Sequence, residues 1–215
     1  KSTKKIVVFK FGGTSLAAKS GFNTLRTVVN ASLESGETPV LIISALENIT
    51  NELALTAELA AAGDAAYLNR LLQIAEQHRR VWTAQVGDFD LKEDEYQIDN
   101  LIGELRNILH GVFLVRDISS RTEDTILSYG EILSSQIVYF FLRKHFSSLR
   151  LLDSRQLIIT DKTFGRAHVR VEPTLAAIRL NRPIPGEILV AAGFIGRAES
   201  GEPTTLGRGG SDYTA

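Results

Sequence analysis

The 215-residue sequence contains no cysteine, and this absence excludes disulfide bonds and metal sites built on thiolates. The four histidines are scattered along the chain without the spacing of metal ligands, so we expect no metal held by protein side chains alone. No apolar run approaches the roughly 20 residues that a bilayer-spanning helix needs. The apolar stretch after the basic first residues is too short for a signal peptide. We therefore expect a cytoplasmic protein without a membrane partner.

The sequence also lacks an excess of charge of either sign. It has 24 Lys and Arg against 25 Asp and Glu, for a formal net charge of −1. No bulk electrostatic field attracts nucleic acid, so any anion binding must be local. With 44% hydrophobic and 23% charged residues, the composition is that of a globular protein. The length fits one large domain, which we place over residues 1–215.

The first 43 residues predict a β-loop-α-β unit. Residues 6–9 form a β-branched and aromatic run typical of a buried strand, and residues 39–43 form a second one. Between them, residues 20–36 carry apolar side chains at helical spacing and end at a glycine. Such a unit implies parallel pairing with a right-handed crossover. Ligand-binding loops belong at the carboxyl ends of parallel strands, so the residues that follow both strands share one edge of the sheet.

The rest of the chain continues the alternation of helices and strands. Residues 48 to about 114 predict two or three surface helices that form an excursion from the sheet. Further elements are predicted as a helix over about 123–145, strands near 149–152, 157–159 and 188–191, and a helix near 174–180. This order predicts an α/β fold with three layers, in which a mostly parallel sheet has helices on both faces.

One candidate anion-binding segment, Lys10-Phe11-Gly12-Gly13-Thr14-Ser15, follows the first strand. Paired glycines let backbone N–H groups approach a phosphate closely, although such a pair more often serves only a tight turn. Lys10 strengthens the phosphate interpretation, because a lysine in an apolar strand must reach the rim or find an anion. The G-x-x-x-x-G-K-[ST] pattern of P-loop enzymes is absent, so a different phosphate cradle is required.

A second candidate segment, residues 206–212, contains Arg208 between glycines, followed by Ser211 and Asp212. The guanidinium is suited to bidentate binding of a carboxylate. The segment does not complete the G-x-G-x-x-G dinucleotide pattern. Taken alone, Arg208 is equally an exposed turn residue and Asp212 a helix N-cap.

Three candidates lie between these segments. Ser44 and Thr50 flank a predicted helix start, where hydroxyl side chains ordinarily act as caps. Glu131 lies in an apolar helix, either as a solvated or ion-paired residue or as a ligand-binding one. Its neighbour Gly130 costs roughly 1 kcal/mol relative to alanine inside a helix, which indicates close approach by a ligand or another backbone.

Together these segments resemble the signature segments of aspartate kinases, which belong to the amino-acid kinase superfamily. The resemblance rests on KFGGTS near the start and GRGGSDYTA at the end, with residues 44–45, 50–51, 130–131 and 193–196 matching in order between them. It covers essentially the whole chain. Aspartate kinases continue with a nucleotide-holding segment and ACT regulatory domains, so we expect this chain to be the amino-terminal part of a catalytic domain.

The resemblance implies roles for individual residues. Lys10 is implied to contact the transferring phosphoryl group, with Gly12, Gly13 and Ser15 around it, and Asp212 to orient catalytic lysines. Glu131 is implied to lie near the α-ammonium of the substrate. The complete set of implied substrate-binding residues is Ser44, Thr50, Glu131, Phe194, Arg208, Gly209, Gly210 and Ser211. The loop over residues 161–166 also resembles the family, but its role is not assigned.

The resemblance further implies a reaction. The parent enzyme is expected to be a homo-oligomer that transfers the γ-phosphoryl group of ATP to the side-chain carboxylate of L-aspartate, with Mg²⁺ bridging the phosphates. The product, 4-phospho-L-aspartate, begins lysine, threonine and methionine biosynthesis. Two alternatives stay open. The chain alone is a non-catalytic aspartate-binding module, or it acts on another small acid such as glutamate or N-acetylglutamate, against which the GRGGSD segment argues.

Overall fold

The computed structural model describes residues 5–17, 20–87 and 92–215. Its main sheet has four parallel strands in the order β1 (Ile6–Phe11), β2 (Thr38–Ile43), β5 (Ile188–Ala192) and β3 (Leu149–Leu152). A smaller sheet has the order β4 (Ile159–Thr160), β6 (Ile195–Ala198) and β7 (Pro203–Thr205), with β6 and β7 antiparallel. The predicted α/β fold with a mostly parallel sheet is confirmed.

The helices alternate with these strands. They are α1 (Gly13–Ala17), α2 (Gly21–Glu34), α3 (Ile49–Ala61), α4 (Ala66–Gln85), α5 (Lys92–Val115), α6 (Ser120–Arg143), α7 (Val171–Leu180) and α8 (Gly210–Thr214). A 3₁₀ turn, Ser154–Gln156, follows β3. This turn lies immediately before residues 157–159, for which the sequence predicts a strand. The observed strand β4 begins only at Ile159.

Both faces of the main sheet are packed. On one face, Leu41 and Val190 of the sheet join Leu25 of α2 and Leu133 of α6 in a buried cluster. On the other face, side chains of β2, β3 and β5 form a second cluster with residues that lead into β4. Helices α7 and α8 lie on that side too, since both line a groove of about 330 Å³ with residues of β1, β2 and β5.

Strand β1 lies at the edge of the main sheet and, among the strands of the described residues, pairs only with β2. The prediction of a buried first strand is therefore wrong, because an edge strand has a neighbour on one side only. Val8 is 43% exposed, and Phe11 is the one buried residue of the strand. Apolar composition marks a strand but does not place it within the sheet.

Helices α3, α4 and α5 occupy most of the predicted helical excursion and pack with α6. The prediction of surface helices is wrong in one respect, because these helices share a large buried core. Leu53, Tyr67, Trp82 and Leu105 are all buried in the cluster that also covers the main sheet. The core therefore runs without a break from the sheet into the helical region.

Helix α6 is long and apolar enough to cross a membrane by length and composition alone. In this protein 72% of its most apolar stretch is buried. A helix that is apolar on most sides is typical of the centre of a large core. We therefore describe α6 as the central helix of the fold, packed against the sheet and the other helices.

Candidate functional site

A cleft of about 270 Å³ opens at the carboxyl edge of the main sheet. Strands β1, β2 and β5 are parallel, so the loops that follow them meet at this edge. The cleft is lined by Lys10, Ser44, Thr50, Glu131, Phe194, Gly207, Arg208, Gly209, Gly210, Ser211 and Asp212. The structure thus brings together the two candidate segments from opposite ends of the chain.

An ion pair joins the two ends of the chain across this cleft. Lys10 Nζ lies 2.8 Å from Asp212 Oδ1, and the two side chains are 31% and 71% exposed. Exposed pairs of this kind contribute about 1 kcal/mol or less. Asp212 lies in the first turn of α8, whose N-cap is Gly209, so the N-cap alternative for Asp212 is wrong. Lys10 reaches the rim, where an anionic ligand can compete with Asp212.

Gly12, Gly13 and Ser15 lie beside the cleft and are not among its lining residues. A Cβ on Gly13 would come within 2.6 Å of the Ala45 carbonyl oxygen, so glycine is required where the two loops cross. A Cβ on Gly12 would lie 3.5 Å from Lys10 Nζ. Ser15 is exposed in α1. The phosphate-binding role of these three residues stays a prediction.

Glu131 is the most unusual ionisable group of the cleft. It is only 3% exposed, and the backbone N–H of Ala45 donates to its carboxyl group. Among the residues that the structure describes, its Oε2 has no hydrogen-bond partner. Burial raises the pKa of Glu131 to about 8, because the charged form loses its hydration. The solvated or ion-paired alternative is therefore wrong within the part of the chain that the structure describes.

Helix α6 packs directly on the loop that joins β2 to α3. The Ser134 hydroxyl donates to the Ser44 carbonyl oxygen at 2.7 Å. A Cβ on Gly130 would lie 2.9 Å from Ala45 Cβ, so the close approach at Gly130 is made by side chains and not by the predicted ligand or backbone. The N-cap of α3 is Asn48, so the capping alternative for Ser44 and Thr50 is wrong. Both side chains line the cleft instead.

Replacing Gly130 with alanine is expected to destabilise the protein by about 1 kcal/mol. The higher helix propensity of alanine, roughly 1 kcal/mol, is outweighed by about 2 kcal/mol of overpacking. The clash falls on Ala45, Ile49 and Leu53, all within 3.4 Å of the added Cβ. Gly111→Ala in α5 is the matched control, since no atom of the described residues lies within 4 Å of its Cβ position. Urea unfolding measures both variants, and equal stabilisation of both would contradict the close approach.

Arg208 is exposed on a segment that follows β7, between two glycines with left-handed backbone. Gly207 has φ +74° and Gly209 has φ +79°, conformations that favour glycine. None of the residues that the structure describes forms a hydrogen bond or ion pair with the Arg208 guanidinium. Its five N–H donors are therefore available to a ligand in the cleft.

Phe194 adopts a strained backbone at the floor of the cleft. Its φ is 65°, a region that costs a bulky residue about 1 to 3 kcal/mol. Two hydrogen bonds hold it, from Leu206 N to its carbonyl oxygen and from its own N to Thr214 Oγ1. A Cβ on the preceding Gly193 would lie within 2.6 Å of Ser211 Oγ. The strand end after β5 and the start of α8 are thus tightly packed.

Sequence reasoning missed two polar residues that support the cleft, Ser134 and Asp124. Ser134 follows Glu131 by three residues on the same helix, a spacing that puts both on one face and offers a usable signal. Asp124 precedes Glu131 by two turns of the same helix. No group of three or more His, Asp or Glu side chains in the described ranges could hold a metal ion.

Comparison with known proteins identifies the family of this chain. The chain belongs to the amino acid kinase family, whose model matches residues 5–215. A curated relative, lysine-sensitive aspartokinase 3 of Escherichia coli, is 30% identical over 218 residues and matches 98% of this chain. Aspartokinase 1 of Arabidopsis thaliana, a chloroplastic protein, is also 30% identical and matches 97% of the chain. The resemblance to aspartate kinases is thus confirmed.

Solved structures show the same relationship. E. coli aspartokinase III in complex with lysine and aspartate superposes with a TM-score of 0.81 at 28% identity, over 98% of this chain and 45% of that one. The same enzyme with aspartate and ADP gives a TM-score of 0.79 at 26% identity, over 99% of this chain and 45% of that one. The chain spans between 23% and 45% of the length of curated relatives that it matches.

Proposed function

We propose that this chain forms the aspartate-binding and phosphoryl-binding part of an aspartate kinase. The observation that carries the proposal is that one cleft is lined by a free guanidinium, a buried carboxyl group and a lysine. The guanidinium would bind the carboxylate of the substrate, the carboxyl group its ammonium, and the lysine the phosphoryl group. Structures of E. coli aspartokinase III with aspartate and with ADP support the proposal by homology.

Arg208, Glu131 and Thr50 would hold L-aspartate. The guanidinium can make paired hydrogen bonds to a substrate carboxylate, which a lysine could not reproduce. The Thr50 hydroxyl can donate to a carboxylate or accept from an ammonium. The unpartnered Oε2 of Glu131 offers the α-ammonium an acceptor, and the arriving positive charge favours ionisation of this carboxyl group. Substrate binding then compensates for the burial of Glu131.

Lys10 would stabilise charge on the transferring phosphoryl group, with Asp212 holding it at the rim. In the proposed step, the side-chain carboxylate of aspartate forms a bond to the γ-phosphorus while the bond to ADP breaks. A carboxylate is already a nucleophile, so no general base is required, and catalysis depends on positioning and charge neutralisation. We place Mg²⁺ on the nucleotide phosphates. The product, 4-phospho-L-aspartate, would begin lysine, threonine and methionine biosynthesis.

Calorimetric titration of the chain with L-aspartate, and separately with L-glutamate, tests the proposal. We expect saturable binding of aspartate alone, weakened about tenfold or more in Arg208→Ala because charged hydrogen bonds are lost. Arg179→Ala, which removes an exposed arginine of α7, is the matched control and should bind as the parent does. Equal binding of both amino acids, or an unchanged affinity in Arg208→Ala, would contradict the assignment.

A hydroxamate assay separates a kinase from a binding module. With MgATP and aspartate, the chain is tested for acyl phosphate, which hydroxylamine traps. Formation of the hydroxamate indicates that these 215 residues hold a complete catalytic site. Aspartate binding without hydroxamate favours the binding-module alternative for the chain on its own.

A further inference from the structure

Asp124 is a buried carboxylate outside the cleft. It lies in the first turns of α6 and is only 1% exposed. Its oxygens accept hydrogen bonds from Gly165 N at 3.0 Å, from Thr205 N at 2.9 Å and from Thr205 Oγ1 at 2.7 Å. The carboxylate therefore links the central helix to two separate segments of the chain.

These bonds must offset a large cost of burial. A buried carboxylate is expensive unless it is paired or well hydrogen-bonded. Within residues 5–17, 20–87 and 98–215 the structure shows no ion pair to Asp124. Burial raises its pKa, and the bonds from Gly165 and Thr205 oppose that rise. An apolar residue at this position would avoid the free-energy cost of burying a carboxylate. It would not form hydrogen bonds to the two segments.

Both tied segments support Gly207, the residue before Arg208. A Cβ on Gly207 would lie 2.8 Å from Arg166 Cγ and 3.1 Å from the Gly165 carbonyl oxygen. The same two segments are joined to each other by the bond from Ala167 N to the Thr205 carbonyl oxygen, at 2.9 Å. The backbone under Arg208 is thus held between β7 and the 165–167 loop, and Asp124 anchors both.

The helix that bears Asp124 also bears Glu131. The two residues are seven positions apart, so both lie near one face of α6, about 10 Å apart along its axis. A rigid helix therefore connects the anchor of the Arg208 segment to the buried carboxyl group. A shift of this anchor would change the distance between the guanidinium and Glu131.

We propose that Asp124 is a positioning residue that sets the spacing between Arg208 and Glu131 and thereby the length of amino acid that the cleft accepts. This inference rests on the proposed function, in which these two groups bind the ends of the substrate. It also assigns a role to the 161–166 loop, whose Gly165 and Arg166 form part of the support. Discrimination between aspartate and the one-methylene-longer glutamate is the property that Asp124 controls.

The test uses Asp124→Ala, the conservative Asp124→Asn, and Thr205→Val, which replaces the hydroxyl group with a methyl group. Glu123→Gln is the control, since it removes a neighbouring carboxylate of the same helix turn. Amide hydrogen exchange is measured over residues 203–209 and 163–167, and over 128–142 as an internal reference. Affinities for L-aspartate and L-glutamate are measured by calorimetry on the same samples.

We expect Asp124→Ala to speed exchange about tenfold in the two tied segments and to leave residues 128–142 unchanged. Its dissociation constant for aspartate should rise about tenfold, and its preference for aspartate over glutamate should fall by a similar factor. Asp124→Asn should recover part of both effects. If Asp124→Ala does not fold, the same pattern, at smaller size, is expected in Thr205→Val.

Unchanged exchange and an unchanged aspartate preference in the folded variants would overturn the inference. A loss of aspartate affinity with the preference intact would also overturn it, because a general weakening of the fold would explain that result. Exchange in Asp124→Ala can be faster while neither the variant nor the parent chain binds either amino acid. That result would uphold the anchoring by Asp124 but reject the proposed function.

Discussion

Glu131→Gln is expected to stabilise the folded protein by about 5 kcal/mol at pH 9 and, in the same variant, to abolish aspartate binding. The stabilisation follows from the buried state of the carboxyl group, whose pKa is raised to about 8 by burial. At pH 9 the parent protein must keep a charge inside the fold, whereas glutamine stays neutral at every pH. The binding loss follows because an amide cannot offer the ammonium a negative charge.

The pH dependence of this effect has a definite sign. Below pH 4.5, the ordinary pKa of a glutamate, Glu131 is protonated in both the folded and the unfolded chain, so it imposes no penalty. As the pH rises, the unfolded chain releases its proton first, and the free energy of unfolding falls until the folded pKa of about 8 is passed. One pKa unit corresponds to about 1.4 kcal/mol, which gives the size of the effect.

Urea unfolding of Glu131→Gln and the parent at pH 5, 7 and 9 measures this difference. The stability gap should widen with pH, and calorimetry at pH 7 should show no aspartate binding to the variant. Glu58→Gln makes the same chemical change at an exposed position of α3 and should leave both properties unaltered. A gap that stays constant from pH 5 to 9 would show that Glu131 is ionised in the empty cleft.

His78 is expected to make the protein sensitive to acid, at a cost of about 3 kcal/mol between pH 7 and pH 4. This side chain of α4 is fully buried, and its Nδ1 bonds the Ile74 carbonyl oxygen. Its Nε2 has no partner within the described part of the chain. Burial lowers its pKa from 6.5 to about 4. Between these values the unfolded chain binds a proton that the folded chain does not, so stability is lost as the pH falls.

His78→Leu should remove this sensitivity, because leucine is similar in volume and does not titrate. We expect the variant to gain about 3 kcal/mol over the parent between pH 7 and pH 4 in chemical unfolding. His110→Leu replaces an exposed histidine of α5 and serves as the control. If His78→Leu and the parent lose stability in parallel over this range, carboxylates rather than His78 determine the acid sensitivity.

The sequence predicts much of the fold because local patterns mark elements strongly. The apolar runs become β1, β2 and β5, and the glycine stop after residue 35 ends α2. Whether an element is buried depends on contacts that no local pattern contains. Val8 is exposed at a sheet edge, and the excursion helices are packed into the core, although their amino-acid composition indicates neither outcome.

The candidate site, like the fold, is predicted from the sequence only in part. Lys10, Glu131 and Arg208 are predictable as candidates because their local sequence is distinctive, and the structure places them in one cleft. Their ionic surroundings are not predictable in this way. That Glu131 Oε2 lacks a partner depends on which residues the fold places around it. The bond from Thr205 to Asp124 joins residues far apart in the chain, and a single sequence does not reveal such pairs.

The ion pair between Lys10 and Asp212 has a consequence for biosynthesis of the chain. Its partners are Lys10 and Asp212, so the pair cannot form until the chain between these two residues has been made. A nascent chain in which only the β-loop-α-β unit has folded contains Lys10 but lacks both its counter-ion Asp212 and the Arg208 guanidinium. Contacts between residues so far apart in sequence form late in folding, because the intervening chain must first be ordered. Binding activity therefore reports completion of the fold between residues 10 and 212.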